Sequence, residues 1–254
     1  MKLDSCFENP ETWNPERYLA NENEMKRFTT TMSLVPREAE SLLDVGTGNG
    51  AFLRILEGSR KMHLRGMDSS PTAVASRLCA ADVTEGSITK IPFPDRSFDV
   101  VSALEVIEHL NCTMFPTAMK ELQRVAARYI LISVPYKNAI FEMCQCPYCE
   151  SVFQIYGHLQ RFDESRMTNL FSDFEIQVHR VVMTSVRYAV RNPLRSRGVP
   201  LMPPAMQCPF CEYRAFTQKS LAAPSKPTLK SRLKKLIPAR EIPNWIVGFY
   251  RRRV

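Results

Sequence analysis

The ten residues SLLDVGTGNG, Ser41 to Gly50, constrain this chain more than any other stretch. A short apolar segment over 41–45 runs into a turn with glycine at 46, 48 and 50. Then AFLRILEGS, 51–59, takes helical spacing, with Gly58 near its end. Glycine at a strand-to-helix turn permits a sharp reversal and lets a ligand approach bare backbone. The turn is therefore the first candidate binding site.

Downstream the pattern repeats. HLRGMDSS reads as a second strand ending in an acid, and PTAVASRLCA as a helix with Pro71 at its start. FDVVSALEVIEHL begins as a strand and turns into a helix; PTAMKELQRVA is another helix; RYILISVPY is an apolar run of strand length. DESRMTNLFSD reads as a helix with Asp163 as N-cap, and FEIQVHRVVMT as a long alternating strand. Strands alternating with helices predict an α/β fold, a mostly parallel sheet covered by helices on both faces. Residues 11–40 are polar and read mostly as helix, anchored by Trp13, Tyr18 and Phe28. The expected organisation is an N-terminal helical lid over 1–40, a main domain over 41–221, and a tail over 222–254.

The net charge of +8 belongs to that tail. From Lys226 to Val254 there are nine Lys/Arg and one acid, so the rest of the chain balances. Nucleic acid is thus an unlikely partner for the main domain. Leu229, Leu233, Leu236 and Ile237 follow helical spacing, and Trp245 to Tyr250 precede Arg251, Arg252 and Arg253. The expectation is a basic amphipathic tail, packed on the domain or touching an anionic membrane surface. No apolar run approaches the ~20 residues of a membrane-spanning helix. No apolar h-region follows the start, so no signal peptide is expected and the location is expected to be cytoplasmic.

The glycine turn admits two cofactors. Gly46 to Ala51 fits the loose dinucleotide pattern G-x-G-x-x-G/A. Asp44, however, would repel a pyrophosphate, whereas it can hold an ammonium group. Asp68, twenty residues after Gly48, can accept hydrogen bonds from both ribose hydroxyls of a nucleoside. With these features LLDVGTGNG, MDSS, GSITKIPFPDRSFDVV and ALEVIEHL occur in order, from Leu42 to Phe174, and there the chain resembles class I S-adenosylmethionine-dependent methyltransferases of the small-substrate type. The resemblance implies a Rossmann-like, seven-stranded, mostly parallel sheet. It implies that Asp44, Gly46, Thr47, Gly48 and Gly50 hold the methionine part of S-adenosylmethionine. Asp68 and Ser69 then meet the ribose, Ser87 and Ile88 flank the adenine, and Leu104 and Glu105 line the floor beside the sulfonium. Thr47 and Ser87 stand where the family more often has cysteine and an acid.

The chain has no N/D-P-P-Y/F sequence after the strand at 98–101, which favours oxygen over nitrogen as methyl acceptor. On a helix, Glu105, Glu108 and His109 would share a face, and His158 in YGHLQRFD could return to the same mouth of the sheet. His109 or His158 could act as base, with Glu105 beside them. The four residues also resemble the metal site of small-RNA 2′-O-methyltransferases. No catalytic metal is expected here, and a second divalent ion at Glu105, Glu108, His109 and His158 stays as the alternative.

Finally, Cys146-Pro-Tyr-Cys149 and Cys208-Pro-Phe-Cys211 form two matched C-x-x-C hooks. Two such pairs supply four thiolates for a tetrahedral structural zinc. Zinc-binding elements at 144–150 and 207–213 would pin a late segment beside the substrate mouth as a small insertion. A C-x-x-C insertion beside a GHLQRF-like stretch is similar to methyltransferases of bacterial envelope sugars. The expected enzyme methylates oxygen on a small, sugar-linked or lipid-linked acceptor. The rivals are a metal-assisted RNA 2′-O-methyltransferase and a non-catalytic interaction protein built on the same fold.

Overall fold

A computed structural model of the chain describes residues 10–137, 143–154, 156–186, 199, 201–202, 208, 210–211, 213 and 238–253. The predicted helix at 229–237 lies outside them.

A 3₁₀ turn, Pro10–Trp13, leads into α1 (Pro15–Leu19) and α2 (Glu22–Ser33). Asn21 caps α2 by accepting from the Asn23 and Glu24 N–H groups. The alternating unit follows as β1 (Ser41–Val45), α3 (Ala51–Glu57), β2 (His63–Asp68), α4 (Pro71–Ala75), β3 (Asp82–Glu85) and β4 (Phe98–Leu104). A 3₁₀ turn, Ile107–His109, precedes α5 (Met114–Val125) and β5 (Ala126–Pro135). The remainder is a hairpin of β6 (Met143–Gln145) and β7 (Val152–Gln154), α6 (Glu164–Thr168), β8 (Phe174–Val186) and β9 (Arg240–Arg252).

Seven strands form one sheet in the order β3-β2-β1-β4-β5-β9-β8. The five strands β1 to β5 are parallel, and β9 runs antiparallel between β5 and β8. The apolar run of β5 sits deep in the sheet, with Ile130, Leu131, Ile132 and Val134 fully buried. A central strand buried on both faces reads as continuous hydrophobic sequence, not as alternation. The order reverses direction at β1/β4, so the C-terminal ends of those two strands border a crevice, the usual ligand place of an open α/β sheet.

Residues 240–252 correct the tail expectation. They form β9, paired with β5 from Tyr129↔Arg251 to Pro135↔Trp245 and with β8 along its whole length. Trp245, Ile246, Val247 and Tyr250 are buried, so these apolar residues serve the core and cannot meet a membrane. Pro243 lacks an N–H, and it falls at the register shift between Val182 and Met183, where the ladder tolerates one. Arg252 donates to the carbonyls of Gln123, Ala126 and Ala127 at the end of α5, so one of the three terminal arginines caps a helix. Among the described residues no helix is long and apolar enough to cross a membrane.

Candidate active site

The glycine turn is built for close approach. Gly46, Gly48 and Gly50 have φ of 72°, 58° and 73°. A Cβ on Gly46 would stand 2.4 Å from Val106 Cγ2, and one on Gly48 2.5 Å from Trp13 Cζ3. The Gly48 N–H donates to Asp68 Oδ2 at 2.7 Å, and the Ser70 N–H to Asp68 Oδ1 at 2.9 Å. Asp68 thus ties the turn after β1 to the end of β2. A carboxylate at this place, anchored on the turn, is the acceptor type that ribose hydroxyls require. The Gly86 N–H donates to the Asp68 carbonyl at 2.9 Å, which brings the 86–88 turn alongside. There Ser87 Oγ bonds Thr89 Oγ1 at 2.8 Å and Ile88 is buried. Ser69 is exposed, while its neighbour Ser70 caps α4. Thr47 meets the turn through its N–H, which donates to Met67 O at 3.0 Å.

Asp44 is buried at 2% exposure, with Oδ1 accepting from Ser102 Oγ at 2.6 Å. Burial pushes the pKa of its carboxyl up to about 6, against the Ser102 hydrogen bond that lowers it. The sign follows: below about 6 the carboxyl is neutral and loses its attraction for an ammonium group. We expect the S-adenosylmethionine dissociation constant to be flat above pH 6 and to rise about tenfold per unit below it. Calorimetric titration at stepped pH checks this, with Asp44→Asn expected to bind weakly without that pH dependence; the same slope in Asp44→Asn would exclude Asp44 as the titrating group.

The lid and β9 close the wall. Trp13 lies against Gly48, and its carbonyl accepts from Asn49 Nδ2 at 2.9 Å. Arg27 of α2 is buried, paired with Glu24 at 2.6 Å, and its guanidinium lies 5.5 Å from the Trp245 ring. Leu104 is buried at the end of β4. Glu105 follows it with φ of 60°, a left-handed conformation that costs a non-glycine residue energy and accompanies functional sites. Glu105 accepts from Trp245 Nε1 at 2.8 Å and from Ser133 Oγ at 3.2 Å. Burial lifts its pKa to about 7, opposed by Arg27.

This overturns the shared helical face. Only residues 107–109 form a 3₁₀ turn, and the left-handed backbone at 105 turns Glu105 toward Trp245. Glu108, His109 and His158 do come together, with one ligand atom of each within 4.8 Å of the others. Glu105 is not in that group. Glu108 has no exposure, and neither carboxylate oxygen finds a hydrogen-bond partner among the described residues. Burial drives its pKa well up and holds the carboxyl neutral, with the Glu105 charge adding to the shift. His158 is brought in because the Leu159 and Gln160 N–H groups both donate to the Glu108 carbonyl, at 2.7 and 2.9 Å. Burial lowers His109 to about 4 and His158 to about 3, so both imidazoles are neutral and weakly basic. Neutral imidazoles suit ligation better than the proton abstraction expected of them.

The four hook cysteines also converge. Cys146 Sγ lies 3.7 Å from Cys211 Sγ, and Cys149 Sγ lies 3.7 Å from Cys208 Sγ, with all four within 4.8 Å. A tetrahedron with bonds of about 2.3 Å to sulfur has edges of about 3.8 Å. The hooks are near copies in three dimensions. The Cys146 N–H donates to Ser151 O and the Cys208 N–H to Tyr213 O, both at 2.9 Å and both five residues on. The Tyr148 and Phe210 N–H groups point at the Cys146 and Cys208 sulfurs at 3.4 and 3.5 Å. Four sulfurs so placed fit a metal ion.

Of the participating residues, Arg27, Asn49, Ser102, Ser133 and Trp245 carry no signature in the sequence. Trp245 falls in the expected tail, and only the continuous apolar run from Trp245 to Tyr250, buried from 245 to 248, marks it as strand.

Residues 43–128 match the family model described as a methyltransferase domain. No curated protein matches the chain. Among solved structures, a Haloferax volcanii complex of the Trm112 methyltransferase activator with a methyltransferase matches at TM-score 0.54 and 14% identity, over 94% of both chains. A SAM-dependent methyltransferase structure from Thermotoga maritima matches at TM-score 0.51 and 15% identity, over 95% of this chain and 100% of that one. The [4+2]-cyclase SpnF matches at TM-score 0.51 and 18% identity, over 62% of this chain and 59% of that one, less than two thirds of its length. At such identities the structures share the fold and no more. The matched stretch covers the glycine turn, Asp68 and the Glu105–His109 segment, so this part of the chain is similar to a methyltransferase domain.

Proposed function

We propose that the protein transfers a methyl group from S-adenosylmethionine to an oxygen of a small, sugar-linked or lipid-linked acceptor. The observation that supports this most is the Asp44 carboxylate, buried beside the bare backbone of Gly46 and Gly48. A negative charge there suits an ammonium and disfavours a pyrophosphate, which argues against a dinucleotide. When bound, S-adenosylmethionine supplies a methyl group already activated on sulfonium. The chain's own residues bind and orient. Asp44 takes the ammonium, Gly46 to Gly50 lie under the methionine part, and Asp68 takes the ribose. Ser87 and Ile88 flank the base, and Leu104 and Glu105 border the reacting end. Methyl label followed from tritiated S-adenosylmethionine into lipid, small-molecule, RNA and protein fractions of a lysate tests the reading. Label in protein or RNA alone would overturn it. Absence of calorimetric binding would point to an interaction protein.

The matched hooks support a structural zinc at Cys146, Cys149, Cys208 and Cys211, four thiolates leaving no open position. A second reading rests on Glu108. A wholly buried carboxylate without partners is costly unless an ion meets it. Glu108, His109 and His158 would hold a divalent cation, which supplies a Lewis acid for an acceptor hydroxyl. Glu108→Gln decides. With an ion, methyl transfer falls by about a hundredfold or more and stimulation by Mg²⁺ or Mn²⁺ disappears. Without one, transfer is unchanged and the melting temperature moves little, because burial already holds the lone carboxyl neutral.

A further inference from the structure

We infer that the outer face of the cysteine clasp is the platform on which the acceptor's non-reacting part rests, and that this part is an uncharged flat ring system. The inference rests on the methyl-transfer reading above. Eleven large apolar side chains are exposed among the described residues, and eight of them lie in the clasp over 148–159 and 199–213. Tyr148 is 74% exposed, Leu201 65%, Tyr156 58% and Phe210 53%. Exposed apolar side chains concentrated on one element mark a binding surface.

The shape of this surface is defined. Tyr148 of the first hook and Tyr213 after the second stack with ring planes 3° apart and centroids at 5.7 Å. Phe210 of the second hook meets Phe153 of β7 edge-on at 6.2 Å. The aromatic surface therefore exists only while the two hooks are closed on each other. The chain also leads from it to the candidate active site. Tyr156, two residues beyond β7, lies 5.7 Å from the His158 ring, and His158 lies 5.0 Å from His109. A ligand seated on the platform would therefore lie on the element that carries His158 to the Glu108 and His109 cluster. That placement points to the acceptor as the occupant.

Its chemistry follows from the lining. The described residues of the clasp, within 143–160 and 199–213, contain no lysine or arginine, and Glu150 is their one full charge. Among these residues a phosphate-rich acceptor would find no cation to neutralise it. Flat, parallel tyrosine faces favour a ring over a flexible chain, since stacking gains from planarity and little ordering is needed.

The test uses the full, metal-loaded chain with S-adenosylhomocysteine present. The probes are 2-naphthol, decanol and 2-naphthyl phosphate, titrated by ligand-observed NMR. Naphthol is expected to bind saturably, decanol more weakly, and naphthyl phosphate at least tenfold more weakly than naphthol. Tyr148→Ser and Phe210→Ser are each expected to weaken naphthol about tenfold, leaving zinc content and cofactor affinity unchanged. Met183→Ser, an exposed apolar residue on β8, is the control and should change nothing. Equal binding of the phosphate, stronger binding of decanol, or no effect of either clasp substitution would overturn the platform. Loss of cofactor binding in the unaltered protein would instead overturn the methyl-transfer reading, with the naphthol result standing on its own.

Discussion

Replacing Cys208 by serine is expected to abolish metal retention and reduce methyl transfer by a hundredfold or more, while S-adenosylmethionine affinity stays within about threefold. Cys208 is fully buried, and its sulfur accepts from the Phe210 N–H and lies against Cys149. Serine removes one of four thiolates, and three hold zinc far less well. A structural zinc site of this kind carries on the order of 10–16 kcal/mol, so the clasp does not survive its loss. The effect is confined to one side of the molecule. The clasp reaches the pocket through the 154–160 segment, which carries His158. Asp44 and Asp68 are held by β1 and β2, Asp44 on Ser102 and Asp68 on the Gly48 and Ser70 N–H groups. Zinc is read by atomic absorption, cofactor binding by calorimetry, and transfer by tritium. Cofactor affinity falling in step with zinc would refute this division.

Asp68→Ala is expected to weaken S-adenosylmethionine by a hundredfold or more and to lower stability by about 2–3 kcal/mol. Both oxygens of Asp68 accept backbone N–H groups, from Gly48 and Ser70, in a buried setting. Alanine orphans both donors, and each unpaired buried donor costs about 1–3 kcal/mol. The turn then loses its attachment to β2, and the ribose loses its carboxylate. Asp68→Asn separates the two effects. The amide retains one acceptor oxygen, so stability recovers in part, but its NH₂ faces an N–H and the affinity stays low. Thermal melts alongside calorimetry check both. An Asp68→Ala protein that binds the cofactor normally would remove Asp68 from the site.

The strand, turn and helix over 41–57 were legible because apolar spacing and glycine position are local properties. Asp68 was legible for the same reason, as an acid closing a short apolar strand. The hooks were legible because two copies of C-P-x-C-E differ in place and scarcely in sequence. Residue 105 was misread. The stretch EVIEHL suits a helix by composition, but Glu105 leaves it in a left-handed conformation to meet Trp245 and Ser133. Nothing within the stretch announces a partner 140 residues away. β9 was misread for a related reason: its terminal arginines, its proline and its aromatics together resemble a surface segment.

By itself the sequence determined the alternating α/β order, the cofactor turn with its two acids, and the pairing of the hooks. Each depends on contacts between near neighbours in the chain, or on repeated residue types that need no register. Only the tertiary structure decided which acid of 105 and 108 faces the histidines, that residues 240–252 enter the sheet between β5 and β8, and that Trp13 and Arg27 close the wall. Those outcomes depend on how distant segments pack, and burial there overrides what charge and local spacing suggest.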